Sequence, residues 1–171
     1  EGLIRFRTGE LHLHYLSKIW IEHLAMNASG HLLSTQVFGL QANQVQGIEF
    51  EALPQEQAHQ ILADLIQHYV QGMDKPLAIF PKTMQAALDQ GFDKSGLWHQ
   101  DNVDFEMLQD KMQKAFVGDD YYAEGESNNS YIQRVWPHWS EALCQQVIHE
   151  SCPVFIPLYQ SIKRLVKEDV A

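Results

Sequence analysis

Residues Leu32–Leu53 read LLSTQVFGLQANQVQGIEFEAL, two runs of strand-forming residues around the short polar insert Gln41-Ala42-Asn43-Gln44. In the second run Ile48, Phe50 and Ala52 alternate with Glu49 and Glu51, the period of a strand that buries one face. Two such runs so closely spaced predict an antiparallel hairpin, Leu32–Leu40 with Val45–Leu53. What flanks that hairpin decides the fold class.

Upstream, Ile4 and Phe6 alternate with Arg5 and Arg7 ahead of Thr8-Gly9. This predicts a short first strand with the apolar pair half-buried and the arginines on its solvent face. From Leu11 to Ala28, Leu16, Ile19, Trp20, Leu24 and Ala28 recur at helical spacing, and Ser29-Gly30 supplies a stop. Downstream, Pro54 suits the first turn of a helix whose stripe runs Ala58, Ile61, Leu62, Leu65, Ile66, Tyr69 and Val70 before Gly72.

Pro76–Phe80 is a short continuous apolar run, which predicts a buried strand, and Lys82–Gln90 reads as a short helix. Asp104 is placed to cap a helix with Phe105, Leu108, Met112 and Phe116 on one face, ended by Gly118. His138–Lys167 is helical in pattern, but Pro153 and Pro157 predict that it breaks into two pieces. Lys163, Arg164 and Lys167 then fall near the end of the last helix, where positive charge suits its dipole. The order of elements predicts an α/β (or α+β) mixed sheet with helices packed on it and a helical C-terminal segment.

At 171 residues the chain fits a single domain, 1–171, and its composition is that of a globular protein. No secretion signal or spanning stretch is found, so a cytoplasmic location and no membrane partner are expected. The chain opens at Glu1 and runs straight into strand-like sequence, the expectation for a piece of something longer. Cys144 and Cys152, eight apart in a helical pattern, are expected as reduced thiols. The net charge of -10 argues against a binder that gains affinity by neutralising phosphates. Ten acidic and three basic residues between Asp89 and Glu126 supply most of it, and a solvated acidic face is the simplest reading.

Enzymatic signatures are sparse. Neither G-x-S-x-G nor a glycine-rich phosphate loop occurs. Nine histidines are many for this length, yet His12 and His14 lie two apart and His23 further along the same predicted helix, where helix-borne metal ligands need three or four, and His99 (with Asp101) and His138 are isolated. The expectation is scattered surface histidines, with no metal site and no cofactor. The helix, hairpin, helix and strand from Leu11 to Phe80 partly resemble the core of metal-dependent nucleases with a P-D…[DE]-x-K site. There two carboxylates hold a divalent cation and a lysine organises the attacking water. Here Glu49-Phe50-Glu51 has an acid where the lysine belongs, and the first aspartate of the chain is Asp64, beyond the hairpin. Glu49 and Glu51 read as the solvent face of an amphipathic strand.

Several segments carry a closer resemblance. Ile19–Gly30 (IWIEHLAMNASG), the helix from Pro54 to Gly72 with Met73-Asp-Lys-Pro-Leu77, Gly125-Glu126 with Tyr131–Trp136 (YIQRVW), and Phe155–Tyr159 (FIPLY) together resemble the C-terminal end of the RecC family, the gamma chains of the bacterial RecBCD exodeoxyribonuclease V. The resemblance implies a degenerate restriction-endonuclease-like fold without its active site, over a core at 1–81 and a helical segment with an acidic loop at 82–171. It implies a scaffold role in double-strand-break repair and recombination, with the alpha (RecD) and beta (RecB) chains as partners and DNA reached through the complex. Chi-reading positions of the family lie in parts that this chain does not match.

One cluster calls for a role of its own. In Glu124–Pro137, EGESNNSYIQRVWP, a polar run passes into Tyr131, Arg134 and Trp136. These three are the candidate contact residues. Tyr131, Val135 and Trp136 would anchor the acidic loop on the core or form a hot spot for another subunit, or Tyr131, Arg134 and Trp136 would stack on bases and bind phosphate, and the acidic surroundings favour the first two. Two other classes compete with the scaffold reading: a small metal-dependent hydrolase using the histidines, and a stand-alone protein-interaction domain unrelated to DNA.

Overall fold

The computed structural model describes residues 2–41, 44–91, 104–118 and 124–165. It is a mixed α/β protein. The described residues form strands β1 (Gly2–Phe6), β2 (Ser34–Gln41), β3 (Gln44–Phe50) and β4 (Ile162–Arg164). They also form helices α1 (Leu13–Ala28), α2 (Gln55–Asp74), α3 (Pro81–Gly91), α4 (Phe105–Val117), α5 (Ser130–Val135) and α6 (Glu141–Gln160). The chain divides into two compact units, residues 1–69 with 157–171, and residues 70–156.

In the first unit the strands form one sheet in the order β1-β2-β3-β4. β1 runs parallel to β2, which requires a crossover, and α1 supplies it. β2 and β3 form the expected hairpin, from Thr35↔Phe50 to Gln41↔Gln44, and β4 adds antiparallel to β3. α1 covers one face because Leu13, Leu16, Trp20, His23, Leu24 and Asn27 recur at three and four and all are buried. They meet Thr35, Val37, Ile48 and Phe50, also buried, with Trp20 and Phe50 rings 5.2 Å apart. Each buried Leu, Val, Ile or Phe side chain here contributes about 1.5–3 kcal/mol of burial.

Two buried polar residues lock this layer. Asn27 is 1% exposed. Its Nδ2 donates to the carbonyls of His23 (2.9 Å) and Leu33 (3.1 Å), while its Oδ1 accepts from the amides of Leu33 (3.3 Å) and Leu53 (3.2 Å). His23 is no surface histidine: it is fully buried, stacked on Trp20, with Nδ1 2.9 Å from the Thr35 hydroxyl. Burial lowers its pKa below the ordinary 6.5, and a hydrogen bond with the Glu51 backbone only partly offsets this. The unfolded chain therefore takes up this proton more readily than the folded one. Stability from His23 is full above about pH 6.5 and is lost as the pH falls through the depressed folded value. The urea midpoint is expected to drop between pH 7.5 and 5, and to drop less in His23→Gln; equal pH profiles would refute this.

The orientation of β1 reverses the expectation. Ile4 and Phe6 are 60% and 79% exposed, whereas Arg5 reaches α1 and donates through Nε and Nη2 to Glu22 at 3.1 and 2.9 Å. Arg7 lies over the Tyr15 ring, 4.6 Å from its centre. The alternation was read correctly, but the arginines have partners on α1 and so take the helix side.

In the second unit, α3 buries Thr83, Met84, Ala87 and Leu88, and α4 buries Leu108, Met112 and Phe116. Asp104 caps α4 as its sequence predicts, accepting from the amides of Glu106 and Met107. Pro76–Phe80 is not a strand. Ala78 is buried, but its amide donates to the Glu150 carboxylate and its carbonyl accepts from the Ser151 hydroxyl at 3.1 Å. Two side chains of α6 thus replace a neighbouring strand. The segment from His138 does not break at its prolines either: α6 runs unbroken from Glu141 to Gln160. Each proline forfeits one backbone bond, and burial of Phe155 and Leu158 on the same helix offsets that loss. Ile162–Arg164 then forms β4, so Lys163 and Arg164 lie on a strand and not at a helix end; Lys167 lies outside the described residues.

Candidate functional site

The hairpin is where nuclease chemistry would sit. Phe50 is buried beneath α1, so the alternation puts Glu49 on the opposite side of the sheet, with Glu51 just past the end of β3. β4 brings Lys163 opposite Glu49 in register, and its Nζ donates to Glu51 Oε1 at 3.0 Å. A lysine 112 positions away therefore occupies the second carboxylate, and no local motif announces it. This ion pair is exposed at both ends, 61% and 69%, so its contribution to stability is small. Asp64 does not reach the hairpin pair: it lies on α2 and accepts from Gln60 at 3.0 Å.

Among the described residues the histidines do not assemble a metal centre. His12 and His14 stack 5.8 Å apart, with Glu10 at 3.7 Å from His12, all on the surface. Among the described residues no three His, Cys, Asp or Glu side chains are grouped to hold a metal. His138 is exposed, and His99 and Asp101 lie outside the described residues. Cys144 and Cys152 are free thiols, both pushed up to about 11 by burial, with Cys144 3.6 Å from the Met112 sulfur. They are poor nucleophiles at neutral pH. Among the described residues no helix is long and apolar enough to cross a membrane.

The cluster of Tyr131, Arg134 and Trp136 is built on a clasp. Gly125 leads into a single 3-10 turn, Glu126–Asn128, and Asn129 caps α5 by accepting from the Tyr131 amide at 2.9 Å. Glu126 turns inward. It accepts from the backbone amides of Lys82 (3.0 Å) and Thr83 (2.8 Å) and from the Thr83 hydroxyl (2.6 Å), which caps α3. Lys82 Nζ donates to the Glu124 carbonyl at 2.8 Å. In the described part of the acidic stretch Asp104 and Glu126 cap helices and Asp110 pairs with Lys114 at 2.7 Å, while all of its acids except Glu126 remain exposed.

α5 then separates the three candidates. Trp136 is half-buried with its ring edge-on to Phe80, centres 5.1 Å apart, in an aromatic group that includes Phe116 and Trp139. Tyr131 is 77% exposed, Arg134 is exposed three residues on, and Val135 is 47% exposed beside them. Trp136 is the anchor; Tyr131 and Arg134 share an outward face.

Comparisons with known proteins give one family. The family model described as "RecC C-terminal domain" matches residues 1–92. The chain is 26% identical over 161 residues to the RecBCD enzyme subunit RecC of Escherichia coli K12, covering 94% of this chain and 14% of that protein. The corresponding subunits of Buchnera aphidicola from Acyrthosiphon pisum and from Schizaphis graminum are 27% and 25% identical, over 78% and 95% of this chain and 12% and 15% of theirs. The chain therefore spans a small fraction of the relatives that it matches.

Proposed function

The chain belongs to the RecC C-terminal domain family, and on that premise we propose that it is a non-catalytic scaffold segment of an exodeoxyribonuclease V gamma chain. It serves assembly with the alpha (RecD) and beta (RecB) chains and guidance of DNA strands in double-strand-break repair and homologous recombination. The observation that carries this reading is the hairpin: Lys163 is bound to Glu51, and no further acid joins Glu49 and Glu51 to form a cation site among the described residues. The outward face of α5 supports an assembly role, because Tyr131 and Arg134 are residue types that dominate interface energetics. Direct phosphate binding is disfavoured by the net charge of -10.

The reading is tested in the assembled enzyme. Tyr131→Ala with Arg134→Ala is expected to weaken retention of the alpha or beta chain by roughly tenfold or more. Glu49→Gln with Glu51→Gln is expected to leave DNA hydrolysis unchanged. Unaltered retention would remove α5 from the interface, and loss of hydrolysis in the second variant would overturn the non-catalytic assignment.

A further inference from the structure

The sheet of the first unit has two faces, and α1 accounts for one. The opposite face carries Ile4 and Phe6 of β1, Gln36, Phe38 and Leu40 of β2, and Val45 of β3; the registers Phe6↔Phe38 and Leu40↔Val45 set its apolar residues side by side. Ile4, Phe6 and Val45 are each more than half exposed. A sheet with one solvated face normally places polar residues there. β1 does the reverse, since Arg5 and Arg7 turn to α1 while its apolar pair faces outward. A shift of one residue would bury that pair, but it would also break the Arg5–Glu22 bonds. At the centre Gly47 leaves room for its neighbours: a Cβ there would stand 3.0 Å from both the Phe38 ring and the Leu165 side chain. The face is low and apolar around Gly47, Phe38 and Phe6, and its polar side chains Gln36, Glu49 and Lys163 form one row beyond them.

We infer that this face is a docking surface for an apolar-striped helix supplied by the same polypeptide, from the portion of a RecC-type gamma chain outside these 171 residues. The inference rests on the family reading above. Two observations select the occupant. The RecC relatives devote only 12–15% of their length to the part that matches, so most of such a chain is available to cover the face. The apolar end bears no charged side chain, so it selects an apolar layer and offers nothing to a phosphate backbone. A helix is the usual second layer on a sheet face, and a covalently linked one avoids the entropy lost when two molecules associate.

The test uses thiol labelling in the full-length gamma chain without alpha or beta chains. Cys144 and Cys152 react slowly, because burial pushes both up to about 11, and the parent chain's labelling rate is subtracted from each variant's. Phe6→Cys and, separately, Val45→Cys are expected to label at least tenfold more slowly than Gln67→Cys on the exposed side of α2. Three results would overturn the proposal. Equal rates would make this a solvated face; protection that appears only on adding the alpha or beta chain would assign it to a partner subunit; protection that vanishes on dilution would assign it to a second copy. Labelling is read before assembly, so its failure is distinct from a failure of the subunit-retention experiment.

Discussion

Gly125→Ala is expected to destabilise the fold by about 3 kcal/mol or more, with the urea midpoint as the measure. Backbone conformation is not the cause, since Gly125 has φ -71 and ψ 161, open to any residue. The cause is space. An added Cβ would overlap the carbonyl carbon and oxygen of Val117 and the carbonyl oxygen of Phe116. These are main-chain atoms in the last turn of α4, which cannot swing aside as a side chain would. The backbones are also tied by the bridge between Gly118 and Glu124. Moving Phe116 disturbs a ring that is 1% exposed and packed on Phe80 and Trp139, and moving the turn draws Glu126 off the start of α3. Asn128→Ala, at an exposed position in the same turn, is expected to stay within about 0.5 kcal/mol. A Gly125→Ala protein as stable as the parent would show that the α4 terminus gives way easily.

Asn27→Ala is expected to cost about 3 kcal/mol by the same measurement, for the opposite reason: it removes atoms. The amides of Leu33 and Leu53 would lose their acceptor, and the carbonyl of Leu33 its donor. A buried group without a partner forfeits its full hydration, about 1–3 kcal/mol each, and partial entry of water limits the sum. Asn27 is the point at which the end of α1, the approach to β2 and the exit from β3 are joined, so the loss is shared among three elements. A cost below about 1 kcal/mol would mean that water replaces the amide without difficulty.

Where local periodicity settles an element, the sequence is a sufficient guide. α1, the hairpin, α2 and α4 lie where spacing, Pro54, Asp104 and Gly118 place them. It misleads where a distant partner decides. Arg5 and Arg7 look like solvent residues until Glu22 and Tyr15 of α1 are in view. Pro153 and Pro157 look like breaks until the burial of Phe155 and Leu158 is counted. The candidate site shows the same division. Glu49 and Glu51 are legible as acids on a hairpin, and the missing lysine of the motif is legible too. The arrival of Lys163 on β4 is not, because it depends on pairing between strands far apart in the chain. Likewise Tyr131, Arg134 and Trp136 read as one cluster, yet the six-residue α5 turns the tryptophan inward and the other two outward.

The segment around Ala78 has a bearing on how this part of the chain tolerates change. A strand in a ladder is held at every second residue and can slide by two positions, trading each bond for an equivalent one. Pro76–Phe80 is tied to α6 at a single residue, amide and carbonyl together, by the adjacent pair Glu150 and Ser151. It behaves as a cord made fast at one cleat. Ala78 and Phe80 are buried and fixed by packing, while the exposed Pro76 can be exchanged without touching the fastening; inserting or deleting one residue changes the distance from that point to Pro81, where α3 begins. Substitution is tolerated at the exposed end of such a segment and length is fixed.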